Sequence, residues 1–355
     1  MKIRFLVTLS LAFMGVIYFP ESSAGDLLTV TAVGDILIGT TYPSELLPPK
    51  DGAEVFDPVK QFIRRGDIAF GNLEGPLIDG GTPSKCGKGR GTGQQCYEFR
   101  MPTRYGRHLK DAGFNVLSIA NNHSIDFGTE GLESTINVLA SHEIQPAGGI
   151  RVASFRVREK KIALAGFSFI QGFPYSYSIL DIDRAKSIVS ALKSRHDLVV
   201  VSFHGGAEGR EALDTLDVHE LYRGERRGNP VKFSRAAIDS GADLVLGHGP
   251  HVPRALEVYR GKLIAYSLGN FVAYGRMNTK GPSGIGYILK AKLDMERGDF
   301  VEGNIVSVEL VSRGLPLVDT GDKALNLIRR LTEKARKEQR PIIEESGGLR
   351  PPEKD

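Results

Sequence analysis

Short apolar runs alternate along this chain with segments whose apolar residues recur every three or four positions. Residues 27–33, 68–71, 116–120, 198–203, 244–246 and 263–268 are continuous, β-branched runs. That pattern predicts strands buried on both faces. Between them, residues 103–112, 132–142, 185–194 and 231–240 carry helical spacing. Two of these helices run into glycine, at Ala112-Gly113 and Ser240-Gly241, which suits a left-handed C-cap. Strand–helix alternation predicts α/β layers. Hairpins are interspersed: 155–157 turns at Glu159-Lys160 into 162–165, 256–259 turns at Arg260-Gly261 into 263–266, and 287–293 turns near Arg297-Gly298 into 304–310. The sheets are therefore expected to be mixed. No repeat and no linker divides residues 25–318, which read as one domain. Residues 319–355 read as a charged C-terminal helix from Lys323, then Pro341 and a polar, frayed end over 347–355.

Residues 1–24 stand apart from this pattern. Lys2 and Arg4 precede an uncharged apolar run over 5–19, Pro20 breaks it, and Ser22-Ser23-Ala24 offers small residues before Gly25. This is the layout of a secretory signal peptide. The run is about 15 residues, short of the ~20 that a spanning helix needs; an uncleaved anchor is the alternative. With no second run of that length, the mature protein is expected to be soluble, in the periplasm or outside the cell. The two cysteines, Cys86 and Cys96, flank a glycine- and lysine-rich loop. In an oxidising compartment they are expected to pair, contributing on the order of 2–3 kcal/mol. No histidine lies near enough in sequence to complete a zinc site with them.

Composition adds two points. Lys+Arg 46 against Asp+Glu 42 leaves a formal charge of +4, which argues against a basic nucleic-acid binder. Glycine is 42 of 355 residues, well above its usual share of roughly 7%, so tight turns and close backbone approaches are frequent.

The candidate chemistry lies where the strands end. The six runs lead, in order, to Gly34-Asp35; Asn72-Leu73-Glu74; Asn121-Asn122-His123 with Asp126 and Gly128; His204-Gly205-Gly206-Ala207-Glu208; Gly247-His248-Gly249-Pro250-His251; and Gly269-Asn270. Ligands gather at the carboxyl ends of strands in α/β sheets. Each turn alone is a weak signal: a lone histidine is more often a satisfied polar residue, and Asp35 alone could cap a helix. Six at one position relative to their strands point to a shared site. Imidazole mixed with carboxylate suits Zn, Mn or Fe better than Ca or Mg. More ligands than one ion needs suggests a two-metal centre, of the kind that clamps both oxygens of a displacement at phosphorus. His108, His142, His196 and His219 fall in or beside helical stretches and read as surface or packing residues.

Together with Ser267-Leu268-Gly269-Asn270-Phe271, these ordered motifs resemble those of the CapA family of poly-γ-glutamate capsule synthesis proteins, also called PgsA, over residues 28–312. That family is similar to the calcineurin-like metallophosphoesterases. The resemblance implies a four-layer α-β-β-α sandwich with mixed sheets and two divalent ions. It implies Asp35, Glu74, Asn122, His204, His248 and His251 as metal ligands, and His123 as the acid or phosphate-contacting histidine. Glu208 and Asn270 would support catalysis around the ligands, and Asn72, Asp126 and Ser267 would serve the substrate. Two departures from the phosphoesterase pattern stand out. Asp35-Ile36-Leu37 replaces Asp-x-His, and Glu74 stands where an aspartate is usual, so one ion would be weakly held or missing.

Three functions fit: a secreted CapA-like protein of capsule or envelope polymer synthesis with a phosphatase-like site, a general metallophosphoesterase, or a non-catalytic polymer-binding or assembly subunit. The expected partners are an anionic polymer or phosphorylated substrate and a membrane-associated capsule synthesis complex, with no nucleic acid. Lys85, Lys88 and Arg90 in the loop 80–95 would guide a polyanion if that loop overhangs the site; the plain alternative is a solvated, stapled loop.

Overall fold

In the computed structural model, the described residues are 27–86, 96–170 and 177–353. The signal-peptide reading, Lys88 and Arg90 lie outside them. Among the described residues, two large sheets face each other. The first has the order Ile342–Ile343, Gly348–Arg350, Phe300–Val311, Ile285–Asp294, Leu27–Leu37, Ile68–Leu73, Val116–Ser118, Gln145–Ala147, with Asn270–Ala273 also paired to Leu27–Leu37. The second has the order Leu256–Tyr259, Lys262–Ala265, Leu244–His248, Leu198–His204, Lys160–Ser168, Val152–Val157. The second sheet has a parallel centre and antiparallel edges. The first is parallel from Leu27–Leu37 to Gln145–Ala147 and antiparallel on its other side, so the expectation of mixed sheets holds.

The strands place the layers by their period of two. In Leu198–His204, Leu198 and Val200 join the core between the sheets, while Val199, Val201 and Phe203 join the core on the outer face. Val30 and Ala32 of the first strand meet Val200 and Leu246 in the shared core. Helix Tyr105–Ala112 packs Leu109 on the outer face of the first sheet, with Leu139 of helix Gly128–Ser141. Helices Ile182–Lys193 and Pro230–Asp239 pack Val189 and Phe233 outside the second. The result is an α-β-β-α sandwich. Local signals set the helix ends. Asn229 accepts from the Lys232 N–H at 2.9 Å with Pro230 at the first helical position. Gly113 closes Tyr105–Ala112 at φ 105°.

Two segments differ from expectation. The run 263–268 is not one strand. Lys262–Ala265 stays in the second sheet, and after Gly269 (φ 72°) the chain enters the first sheet as Asn270–Ala273. Part of the segment expected to be frayed, Gly348–Arg350, is also a strand. Helix Lys323–Thr332 buries Leu325 and Ile328 in the inter-sheet core, and Gly348–Arg350 pairs with Phe300–Val311 through Gly303↔Leu349. A three-residue strand with one buried apolar side chain, Leu349, has too little pattern to be read against polar flanks.

Candidate functional site

The site is built where the two sheets present their carboxyl ends to each other. In the first sheet, Asp35 is register partner to Asn72 on one side and Asn270 on the other. In the second, His204 is register partner to His248. The segment 266–269, which crosses from the second sheet to the first, packs against glycines of both. A Cβ on Gly34 would lie 1.9 Å from the Gly269 carbonyl oxygen, and one on Gly247 would lie 2.2 Å from that of Tyr266. Gly34→Ala is therefore expected to destabilise the fold by more than the ordinary ~1 kcal/mol of a point change, read as a lowered denaturation midpoint with the slope unchanged.

Asp35 is fully buried and collects polar partners. Its Oδ1 accepts from Asn72 Nδ2 at 2.8 Å and lies 3.4 Å from His248 Nδ1; its Oδ2 lies 2.8 Å from His251 Nδ1. Asn72 Nδ2 also donates to Glu74 Oε2 at 2.5 Å. His204 Nδ1 lies 3.6 Å from Glu74 Oε2. Asn270 Oδ1 is 3.1 Å from His251 Nδ1, and its amide is fixed by the Ser283 carbonyl at 3.0 Å. His251 is held at φ 56°, unusual for a non-glycine residue.

Charge in this cluster is displaced from its ordinary state. Burial opposes ionisation of Asp35, but the charge and hydrogen bond of His251, with His248 close by, hold its carboxyl well below the usual range. Burial, then the Asp35 charge, pushes Glu74 up to about 8. Burial lowers His204 well below the usual imidazole value. It also opposes charge on His251, yet Asp35 outweighs it and raises His251 to about 10.

Asp35, Glu74 and His204 offer ligand atoms within 4.8 Å of one another. Around them Glu74 Oε1, Asn122 Oδ1, His204 Nε2 and both ring nitrogens of His248 are buried without a hydrogen-bond partner among the described residues. Buried polar groups rarely stay unpaired, and carboxylate with imidazole is a donor set for Zn, Mn or Fe. These residues fit divalent ions.

His123 stands at the edge of this cluster. Its Nδ1 is 2.7 Å from Asp126 Oδ2, an oxygen that also accepts from the Phe99 N–H at 2.8 Å. Lys85 Nζ lies 3.1 Å from His123 Nδ1 and 3.5 Å from Asp126 Oδ1. Burial is the main cause lowering the His123 pKa, partly offset by Asp126 and assisted by Lys85. Asn121 ties this turn to the carboxylates: its Nδ2 donates to Asn72 Oδ1 at 3.0 Å, and its Oδ1 accepts from the His123 N–H at 3.0 Å. The Cys86–Cys96 disulfide is formed. Beside it, Glu98 Oε1 accepts from the Lys85 and Cys86 N–H groups at 2.6 and 2.8 Å.

A cleft of about 240 Å³ opens over the cluster, its walls including Glu74, Lys85, Asn122, His123, Arg227 and His251. Not every residue expected at the site takes its expected place. Asn72 and Asp126 are wholly buried; they hold the carboxylates and His123 rather than face a substrate. Ser267 is also buried, with its Oγ accepting from the Gly269 N–H at 3.3 Å, and it is not part of the cleft wall. Glu208 lines the cleft, but its partner is Arg227 Nη2 at 2.7 Å, not His204. Sequence reasoning missed Arg227 because Glu-Arg-Arg-Gly carries no motif, and it placed Asn121 in a candidate turn without a role because its partner Asn72 is distant in sequence.

The loop carrying Glu208 is pinned by a fully buried arginine. Arg254 Nη1 and Nη2 bond the two oxygens of Glu220 at 2.8 and 2.7 Å, Nε bonds the Ala212 carbonyl at 2.6 Å, and Glu220 Oε2 takes the Ala207 N–H at 2.6 Å. Removing one partner of a buried pair strands the other. Arg254→Ala is expected to cost about 3–5 kcal/mol in urea or guanidinium unfolding; a loss under about 1 kcal/mol would count against this anchor.

The family model "Bacterial capsule synthesis protein PGA_cap" matches residues 29–274. The PGA biosynthesis protein CapA of Bacillus subtilis is 30% identical over 269 residues, covering 71% of this chain and 65% of that protein. The capsule biosynthesis protein CapA of Bacillus anthracis is 29% identical over 265 residues, covering 69% of this chain and 59% of that protein. The match thus spans less than two thirds of either relative's length. A solved structure of a phosphatase from Mycoplasma pneumoniae superposes with a TM-score of 0.49 at 13% identity, over 85% of this chain and 99% of that one.

Proposed function

The chain belongs to the bacterial capsule synthesis family, and from that premise we propose that it is a secreted, metal-dependent hydrolase of phosphatase type acting on a capsule or envelope polymer. The observation that carries this reading is the buried cluster of Asp35, Glu74 and His204, flanked by His248 and Asn122 with unpaired polar atoms and by His251, which pairs with Asp35. A merely structural arrangement has no reason to bury so many unsatisfied donors and acceptors in one place.

Asp35, Glu74, Asn122, His204, His248 and His251 would hold the ions. When bound, such ions polarise a substrate oxygen and favour ionised water near neutral pH. The chain's own residues do the rest. Asp126 accepts the Nδ1 proton of His123, which fixes the ring and leaves Nε2 to exchange a proton at the substrate's leaving oxygen. Asn270 and Asp35 together set the His251 ring. Lys85 adds positive charge beside His123, where an anionic substrate would bring negative charge.

Metal analysis of the purified chain tests this reading. Stoichiometric Mn, Zn or Fe is expected, with chelator-sensitive hydrolysis of phosphoesters or of γ-linked glutamate polymer. A metal-free protein that hydrolyses neither would overturn it; polymer binding by that protein would mark a scaffold.

A further inference from the structure

Two buried arginines lie near the Glu208 loop, and they differ in a telling way. Arg254 is used up: Nε, Nη1 and Nη2 all have hydrogen-bond partners. Arg227 is 3% exposed, yet it is not. Glu208 Oε1 at 2.7 Å and Glu225 Oε2 at 3.0 Å both sit on Nη2. Nε and Nη1 are buried with no hydrogen-bond partner among the described residues. The guanidinium stacks 4.1 Å over the Phe169 ring, with the Tyr222 ring at 5.3 Å. Leaving charged N–H groups unpaired in a buried position is costly. Here the cost falls on a side chain that lines the cleft beside His204.

We propose that Arg227 is the oxyanion-binding residue of this cleft, and that it holds a carboxylate or phosphate group of the substrate next to the metal cluster. Glu208 and Glu225 are its positioning residues, fixing one guanidinium nitrogen and leaving the others for the substrate. Phe169 covers one face of the guanidinium with Tyr222 beside it, and Arg227 lines the cleft, so an anion approaches it from there. A planar guanidinium suits either oxyanion, as both present oxygens at matching spacing. This inference rests on reading the cleft as a substrate site, but its test is binding rather than turnover.

The test uses the full chain, both chelated and loaded with Mn, and two probes: inorganic phosphate and a γ-linked glutamate oligomer. The wild type is expected to bind at least one of them. Arg227→Gln is expected to weaken that binding by about 10–100-fold, as loss of hydrogen bonds to a charged group does. Arg227→Lys should lose less, because it keeps the charge without the fork. Glu208→Gln should weaken binding and also lower the melting temperature, because it removes one partner of a buried pair. Compared at a temperature where both proteins are fully folded, a purely structural role for the pair would leave the affinity unchanged. Loss confined to phosphate assigns a phosphoryl group; loss confined to the oligomer assigns a carboxylate. The proposal is overturned if the wild type binds neither probe in either form, or if Arg227→Gln binds as tightly as the wild type. Should Arg227→Gln not fold, wild-type affinity in both Arg227→Lys and Glu208→Gln overturns it instead. A chain that hydrolyses nothing but shows Arg227-dependent binding would refute the hydrolase reading and leave this one standing.

Discussion

Asp35→Asn is expected to strip the chain of bound divalent metal and of metal-dependent hydrolysis together. Asp35 touches two histidines of the second sheet, His248 and His251, and is linked through Asn72 to the other carboxylate of the first, Glu74. Losing an outer partner of a metal ligand typically costs 10–100-fold in affinity. Losing the central carboxylate should cost more, beyond about 100-fold. Asparagine keeps the size and a carbonyl oxygen, so the strand register to Asn72 and Asn270 should survive. Metal content, titrated affinity and the thermal midpoint, measured on the same preparation, separate ligand loss from unfolding. A folded Asp35→Asn protein retaining stoichiometric metal would show that the cluster is not the metal site.

The second large effect is expected at His123. Its Nδ1 is committed to Asp126, and its ring packs against Phe99 with centroids 4.4 Å apart. Such a clamp holds the other ring nitrogen in a fixed direction, which general acid–base catalysis requires. His123→Ala should lower kcat by about 10²–10⁴-fold while metal content stays near the wild-type level. Asp126→Asn should lower kcat by a comparable amount, because an amide that donates to Nδ1 favours the wrong tautomer even with the ring in place. Loss of metal in His123→Ala would make His123 a ligand and end this assignment. Full activity would place proton transfer elsewhere.

These expectations differ in how they could be reached. That Asp35, Glu74, His204, His248 and His251 belong together was readable from the chain, because each follows an apolar run and strand ends of an α/β sheet share a rim. The run over 198–203 is a clear case: continuous β-branched residues can only be a strand covered on both faces. The disulfide was readable too, as two cysteines ten residues apart in a glycine-rich loop.

What escaped were pairings that no local pattern encodes. Glu208 was expected to support catalysis, but nothing in its motif points to its partner, Arg227, nineteen positions away on a small hairpin. Asn72 and Asp126 look like substrate residues in a motif and prove to be buried braces. The strand Gly348–Arg350 extends the first sheet beyond Phe300–Val311 with a single buried leucine.

By itself, then, the sequence determined the layers, the order of the strands' polar ends and the chemistry on offer, since hydrophobic period and strand-end position are local properties. Only the tertiary structure decided which of those polar groups are spent on one another and which remain unpaired. Buried donors and acceptors choose partners by proximity in space, and that proximity arises only when the two sheets come together, with the segment 266–269 packed against Gly34 and Gly247.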